Sequence, residues 1–305
     1  MRKTRSNPLT AQAILLAWIE ILEIMALVQS LIVLTNALWN WGFLLFDTSS
    51  LSRALSLPVP GNATTPAIYD WYEAHYHSIC YGMWNNHVFE SGRNMSVGSP
   101  RSCATQALGY TFSLARVLFD TATSTSTTAT TTARPVLDIL ASYGTVDTKA
   151  SVALLIVGII FTGISQVLYL DSILALVATN MREEHLLMML RVAFLSSIPA
   201  VITLTISAAK ITARAKQIQS QAAGIGIVGV GSGVTATVKA HLGSGFFPAM
   251  WIATGFMWLA LAIEVVVALR IARGMRRQCC NGGGSEREPG VHEKKDVCDE
   301  VKMEM

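Results

Sequence analysis

Charge is what this sequence is short of. Only 14% of its 305 residues are Asp, Glu, Lys or Arg, against about 25% in soluble proteins, so much of its surface cannot face water. The formal net charge of +3 is too mild to call for a nucleic-acid partner. Cysteine and histidine are scarce as well, at five and six residues. Five cysteines exclude a disulfide-dense scaffold, and the spacing of His75, His77 and His87 matches no metal site. Gly224-Ile225-Gly226-Ile227-Val228-Gly229 spells GxGxxG, but no strand–turn–helix unit flanks it as a dinucleotide fingerprint requires. It reads as a Gly-rich loop, with alternation over Val234–Val238 that fits a short strand. No cofactor and no metal are expected.

The apolar residues, by contrast, are abundant and clumped. Ile24–Phe46, Val152–Leu170, Val192–Ala209 and Pro248–Ile263 hold no charged residue. With their apolar flanks all four reach the ~20 residues that a helix needs to cross ~30 Å of hydrocarbon. The first is too long for the apolar region of a cleaved signal peptide and reads as a retained signal-anchor.

Basic residues near the ends set the expected orientation. Arg2, Lys3 and Arg5 precede the first span, and Arg270, Arg273, Arg276 and Arg277 follow the fourth, so both termini are expected in the cytosol. Lys210, Arg214, Lys216 and Lys239, with no acid between residues 210 and 247, oppose this. Two features of the first loop outweigh them. The acceptor pattern Asn-x-Ser/Thr occurs at Asn62 and Asn94, usable only on the lumenal side. Cys80 and Cys103 are the loop's two cysteines, while Cys279, Cys280 and Cys298 fall in the tail. A Cys80–Cys103 bridge would close a loop of about 24 residues, worth roughly 3 kcal/mol. Two unpaired buried thiols are the alternative. His75 and Cys80 make a poor catalytic pair, because a bridged cysteine is no nucleophile and no oxyanion device accompanies it.

Further along the loop, Thr121–Ala133 contains only Thr, Ser and Ala, as an O-glycosylated stalk or a plain linker would. The tail from Asn281 mixes charges around three consecutive glycines and is expected to be disordered. Cys279 and Cys280 follow Arg276 and Arg277 directly, a setting for S-palmitoylation beside a basic membrane-binding patch.

Ionisable residues within spans are expensive and tend to mark function or partnering. Glu20, Glu23, Asp171, Arg191 and Glu264 all fall toward the expected cytosolic side. Their depth permits one polar cluster, with Arg191 pairing Glu264. Separate snorkelling to the headgroups is the competing reading.

The stretch Tyr69–Gly82 reads YDWYEAHYHSICYG. Here the chain resembles a fungal family of four-span plasma-membrane proteins, the cortical-patch (eisosome) tetraspanners and the pH-response regulator PalI. Tyr72, His75, Cys80 and Gly82 stand at that family's Tyr-x-x-His and Cys-x-Gly positions. Cys103, ahead of Gly109-Tyr110-Thr111-Phe112, matches its second cysteine, and Asp47-Thr48-Ser49-Ser50-Leu51 its motif after the first span. The resemblance implies a claudin-like fold, a left-handed four-helix bundle capped by a small outer β-sheet that the disulfide staples.

The expected organisation is an all-α membrane protein with spans at 21–46, 151–178, 186–209 and 248–271. A cytosolic segment 1–20 precedes them, outer loops occupy 47–150 and 210–247, and the cytosolic tail is 272–305. The expected function is non-enzymatic: a plasma-membrane tetraspanner organising a cortical domain. Its partners would be the lipid bilayer, other copies or lateral neighbours, and a cytosolic scaffold bound through the tail. The alternative is a component of ambient-pH signalling, and a small transporter comes third.

Overall fold

The computed structural model describes residues 8–35, 42–54, 68–83, 102–125, 145–178, 183–222, 226–228 and 235–281. Four long helices dominate: α1 Pro8–Thr35, α4 Lys149–Ala178, α5 Glu183–Ala222 and α6 Phe246–Asn281. Each contains a stretch apolar and long enough to span a membrane: Ile14–Thr35, Lys149–Leu174, Met188–Ala222 and Phe246–Ile271. They close a ring in which α1 packs on α4 and α6, and α5 packs on the same two helices. Large apolar side chains remain outside it; Val167 and Leu195 are 60% and 63% exposed. In water that would be untenable, but hydrocarbon is the solvent such faces suit.

Shorter elements gather at one end of the ring. They are β1 Leu44–Asp47, α2 Ser49–Ala54, β2 Trp71–Ala74, β3 Ser78–Gly82, β4 Ser102–Thr105, β5 Thr111–Phe112, α3 Leu114–Thr125, β6 Val146–Asp147, β7 Gly226–Val228, β8 Thr235–Thr237 and β9 Lys239–Leu242. Five strands form one antiparallel sheet in the order β4-β3-β2-β1-β9. Two-stranded pairs β5–β6 and β7–β8 flank it. Thus the connection before α4 and the connection before α6 contribute to one sheet. Aromatic packing ties that sheet to the bundle. Phe43 lies 5.9 Å from both Tyr76 and Phe246, and Tyr76 5.3 Å from Phe246, between ring centroids.

The element bounds differ from the sequence expectation in three places. The first helix is Pro8–Thr35 rather than 21–46, and Leu44–Asp47 is an interior strand paired on both edges. A membrane helix and a strand buried by neighbours on both sides are both continuously apolar, so periodicity alone cannot part them. The third helix runs to Ala222, through thirteen residues expected to be loop. Ala208, Ile211, Ala215, Ile218 and Ala222 recur at helical spacing and are buried in the core shared with Val238 and Ala240. The cations Lys210, Arg214 and Lys216 occupy the exposed face of the same turns. Finally, α6 continues to Asn281, so the tail starts as helix. The Thr/Ser tract is helical at its beginning, since α3 ends at Thr125.

Candidate functional site

Two groups of residues stand out: the strands that carry the Tyr-x-x-His and Cys-x-Gly positions, and a polar cluster inside the bundle. In the sheet, Cys80 and Cys103 sit directly opposite each other on β3 and β4, and they are disulfide-bonded across that register. Tyr72 and His75 are buried at 0% and 1% exposure. The Tyr72 hydroxyl accepts the Tyr69 backbone N–H at 3.2 Å, and its ring packs against those of Tyr69 and Tyr81. His75 Nε2 lies 3.5 Å from Glu73 Oε2, while Glu73 Oε1 accepts the Gly42 N–H at 2.9 Å. That relay fastens β2 to the entry of β1. His75 therefore has a structural post, and a cysteine held in a disulfide cannot attack. Asp47 Oδ1 accepts the Ser49 N–H at 3.0 Å, an Asx turn that starts α2. Gly82, opposite Trp71 on β2, offers its carbonyl to the Asp70 N–H at 3.0 Å.

Two buried phenols brace the sheet from below. Tyr110 donates to the Ser78 carbonyl at 3.1 Å, and the Tyr110 carbonyl accepts the Thr148 hydroxyl at 2.6 Å. Tyr76 lies against the sulfur of Met250 on α6 at 3.9 Å. Burial pushes both phenols above their ordinary value near 10.0, since desolvation penalises the charged form.

In the bundle each of the four helices supplies one polar side chain to a single cluster: Glu23 on α1, Ser165 on α4, Ser197 on α5 and Glu264 on α6. Ser165 Oγ donates to Glu23 Oε1 at 2.8 Å and lies 2.9 Å from Ser197 Oγ. Ser197 Oγ is in turn 3.3 Å from Glu23 Oε1 and 2.9 Å from Glu264 Oε1. None of the four exceeds 3% exposure. Counted from the span ends away from the sheet, Glu23, Ser165 and Ser197 lie nine residues in and Glu264 seven. At 1.5 Å per residue that is a common depth of about 10–14 Å. Tyr169, one turn after Ser165, is buried beside both carboxyls.

The cluster draws in only part of the set of charges found by sequence. Glu23 and Glu264 belong to it, and Glu20 is half-buried one turn away. Asp171 and Arg191 are exposed. Arg191 does not pair with Glu264, because Arg191 lies six residues from Ser197 and so projects about 120° away around α5 and about 9 Å nearer the span end. Ser197 takes the inward position. Ser165, Ser197 and Tyr169 carry no sequence signal by themselves; only the equal depth of the two serines from the span ends could have singled them out. Cys279 and Cys280 stand in the last turn of α6. Asn62 and Asn94 lie outside the described residues.

A model of the SUR7/PalI family matches residues 9–263, which takes in all four spanning helices as far as Ile263 and the whole sheet. No curated protein and no solved structure matches the chain.

Proposed function

The chain belongs to the SUR7/PalI family, and from that premise we propose that it is a non-enzymatic plasma-membrane tetraspanner that organises a cortical membrane domain. The observation that carries this reading is how polarity is distributed over the bundle. The polar cluster is sealed inside, while large apolar side chains cover the outward faces. Even the indoles there are neutralised laterally: Trp251 Nε1 donates to Thr212 at 3.2 Å and Trp258 Nε1 to Thr205 at 3.1 Å, both on α5. What remains outward is mostly aliphatic surface suited to lipid and to neighbouring helices, and lateral association requires no chemical step.

In this reading both termini are cytosolic and the disulfide-bonded sheet lies outside, with Asn62 and Asn94 available for glycosylation. The segment after α6 engages a cytosolic scaffold, aided by acylation at Cys279 or Cys280 beside Arg276 and Arg277. Imaging a tagged copy beside a marker of stable cortical patches tests the role: the two should coincide, and a diffuse, freely exchanging distribution contradicts it. Protease added to intact spheroplasts should spare a tag on the C-terminus. Acyl-exchange labelling should disappear in the C279S/C280S variant.

A second reading, participation in ambient-pH signalling, is favoured by one specific observation, the buried Glu23–Glu264 pair. Two acids so placed make the bundle a structure in which proton chemistry has a physical address. Loss of growth on alkaline medium after deletion, with cortical patches intact, would select it over the first.

A further inference from the structure

The four-helix cluster has more acceptors than protons to fill them. Ser165, Ser197 and Tyr169 bring one hydroxyl proton each, that of Tyr169 toward Glu264, yet Glu23 Oε1, Glu264 Oε1 and the Ala193 carbonyl all lie within hydrogen-bond distance of the two serines alone. The second carboxyl oxygens, Glu23 Oε2 and Glu264 Oε2, are buried and have no hydrogen-bond partner among the described residues. They belong to side chains that are 0% and 3% exposed.

Nor is the charge balanced from nearby. The titratable groups packed against the pair are Glu20 on α1 and Tyr169 on α4, and neither can be a cation. On α5 the nearest base is Arg191, on the exposed face; on α6 the nearest are Arg270 and Arg273, both exposed. Two carboxylates in a low-dielectric interior lose their hydration and repel each other unless positive charge joins them.

We propose that Glu23 and Glu264, framed by Ser165 and Ser197, form a binding site for one unit of positive charge inside the bundle, carried by a proton or by a singly charged metal ion. Both occupants answer the same chemistry, hard oxygen acceptors with unfilled lone pairs. A divalent ion is a poor fit, because no group of three or more carboxylate, His or Cys ligands occurs among the described residues. Since the ligands come from all four helices, the occupant joins α1 to α6 through α4 and α5 in the half of the bundle away from the sheet. Emptying the site leaves α1 and α6 repelling each other at their contact. The site stands whichever cellular role the chain has.

The test uses the purified full-length chain in lipid nanodiscs, with thermal unfolding followed by tryptophan fluorescence. One series varies pH in choline buffer; another varies Na⁺, K⁺ or Li⁺ against choline at fixed pH and ionic strength. The unfolding midpoint should depend on acidity or on one alkali ion, and that dependence should be lost in the E23Q/E264Q variant. Dependence on acidity alone identifies the proton; dependence on an alkali ion identifies the metal. If the variant does not fold, wild-type protein is treated with a hydrophobic carbodiimide, which modifies a buried carboxyl that carries a proton, and adducts are mapped by mass spectrometry. An adduct at Glu23 or Glu264 supports the site, and its suppression by one alkali ion assigns it to that ion. Identical dependence in wild type and variant, or no adduct at either residue in any buffer, overturns it.

Discussion

Ser197 and Glu264 meet 2.9 Å apart across the α5–α6 contact, while the obvious basic candidate, Arg191, lies nearer the span end and faces outward. Because Ser197 also reaches Glu23, one hydroxyl serves two acids on two helices. Ser197→Ala should therefore destabilise the chain by about 1–3 kcal/mol, the usual result of stranding a buried acceptor. Arg191→Leu should change stability little. A double-mutant cycle on thermal stability checks both: Ser197 and Glu264 should couple, whereas Arg191 and Glu264 should add without interaction.

The Cys80–Cys103 bridge joins directly opposed residues 23 apart in sequence. Replacing both by Ser should lower stability by roughly 2–4 kcal/mol while leaving the helices inserted. Non-reducing peptide mapping of native protein should find the two linked, and the double Ser variant should show faster proteolysis of the sheet with unchanged protection of the spans.

Gly243 lies where β9 leaves the sheet, and its N–H donates to the Phe43 carbonyl at 3.3 Å. A Cβ there would run into the backbone of Gly42, which cannot step aside without disturbing β1. Gly243→Ala should cost about 1–3 kcal/mol through overpacking. At Gly255, in α6, an added Cβ would meet no atom within 4 Å. Gly255→Ala should be neutral or stabilising by up to ~1 kcal/mol through helix propensity. Unfolding midpoints of the two variants, measured side by side, should move in opposite directions or differ clearly in size.

Tyr76 and Tyr110 are buried phenols whose folded-state values lie above the ordinary 10.0. A group raised on folding contributes stability that is intact below its unfolded value and is lost as pH climbs toward its folded one. The sheet should therefore loosen above pH ~10, with tyrosinate absorbance and loss of sheet structure rising together. Tyr110→Phe should shift that alkaline transition upward, measured against any loss from its hydrogen bond to Ser78.

The four spans were legible because a charge-free run of membrane length has few other uses. The disulfide was legible because the first loop holds only two cysteines. The end of the first helix was not legible: Phe43, Leu44 and Phe46 are as apolar as the helix before them, and only pairing partners distant in sequence show that they belong to a sheet. The overhang of α5 was hidden for a related reason. Its inward face is mostly alanine and isoleucine, and its cations dominate the local composition although they merely face solvent. In the bundle, Glu23 and Glu264 announced themselves by being acids in apolar helices. Ser165 and Ser197 did not, because serine is tolerated throughout membrane helices and gains meaning only from what faces it.

The sheet order carries a consequence for biogenesis. Leu44 on β1 pairs with Leu242 on β9, about 200 residues later, so at 5–20 residues per second the ribosome needs roughly 10–40 seconds between making the two. During that interval β1 can pair with β2, but its other edge is open, and an unpaired strand edge is a template for wrong partners. Three helices must be inserted before the closing strand even exists. A chain stalled, truncated or misinserted after its second or third spanning helix would keep that edge open. Completion of the fifth strand is thus the late step that removes the open edge of β1, and it ties the two connections into one sheet only when nearly the whole bundle has been made.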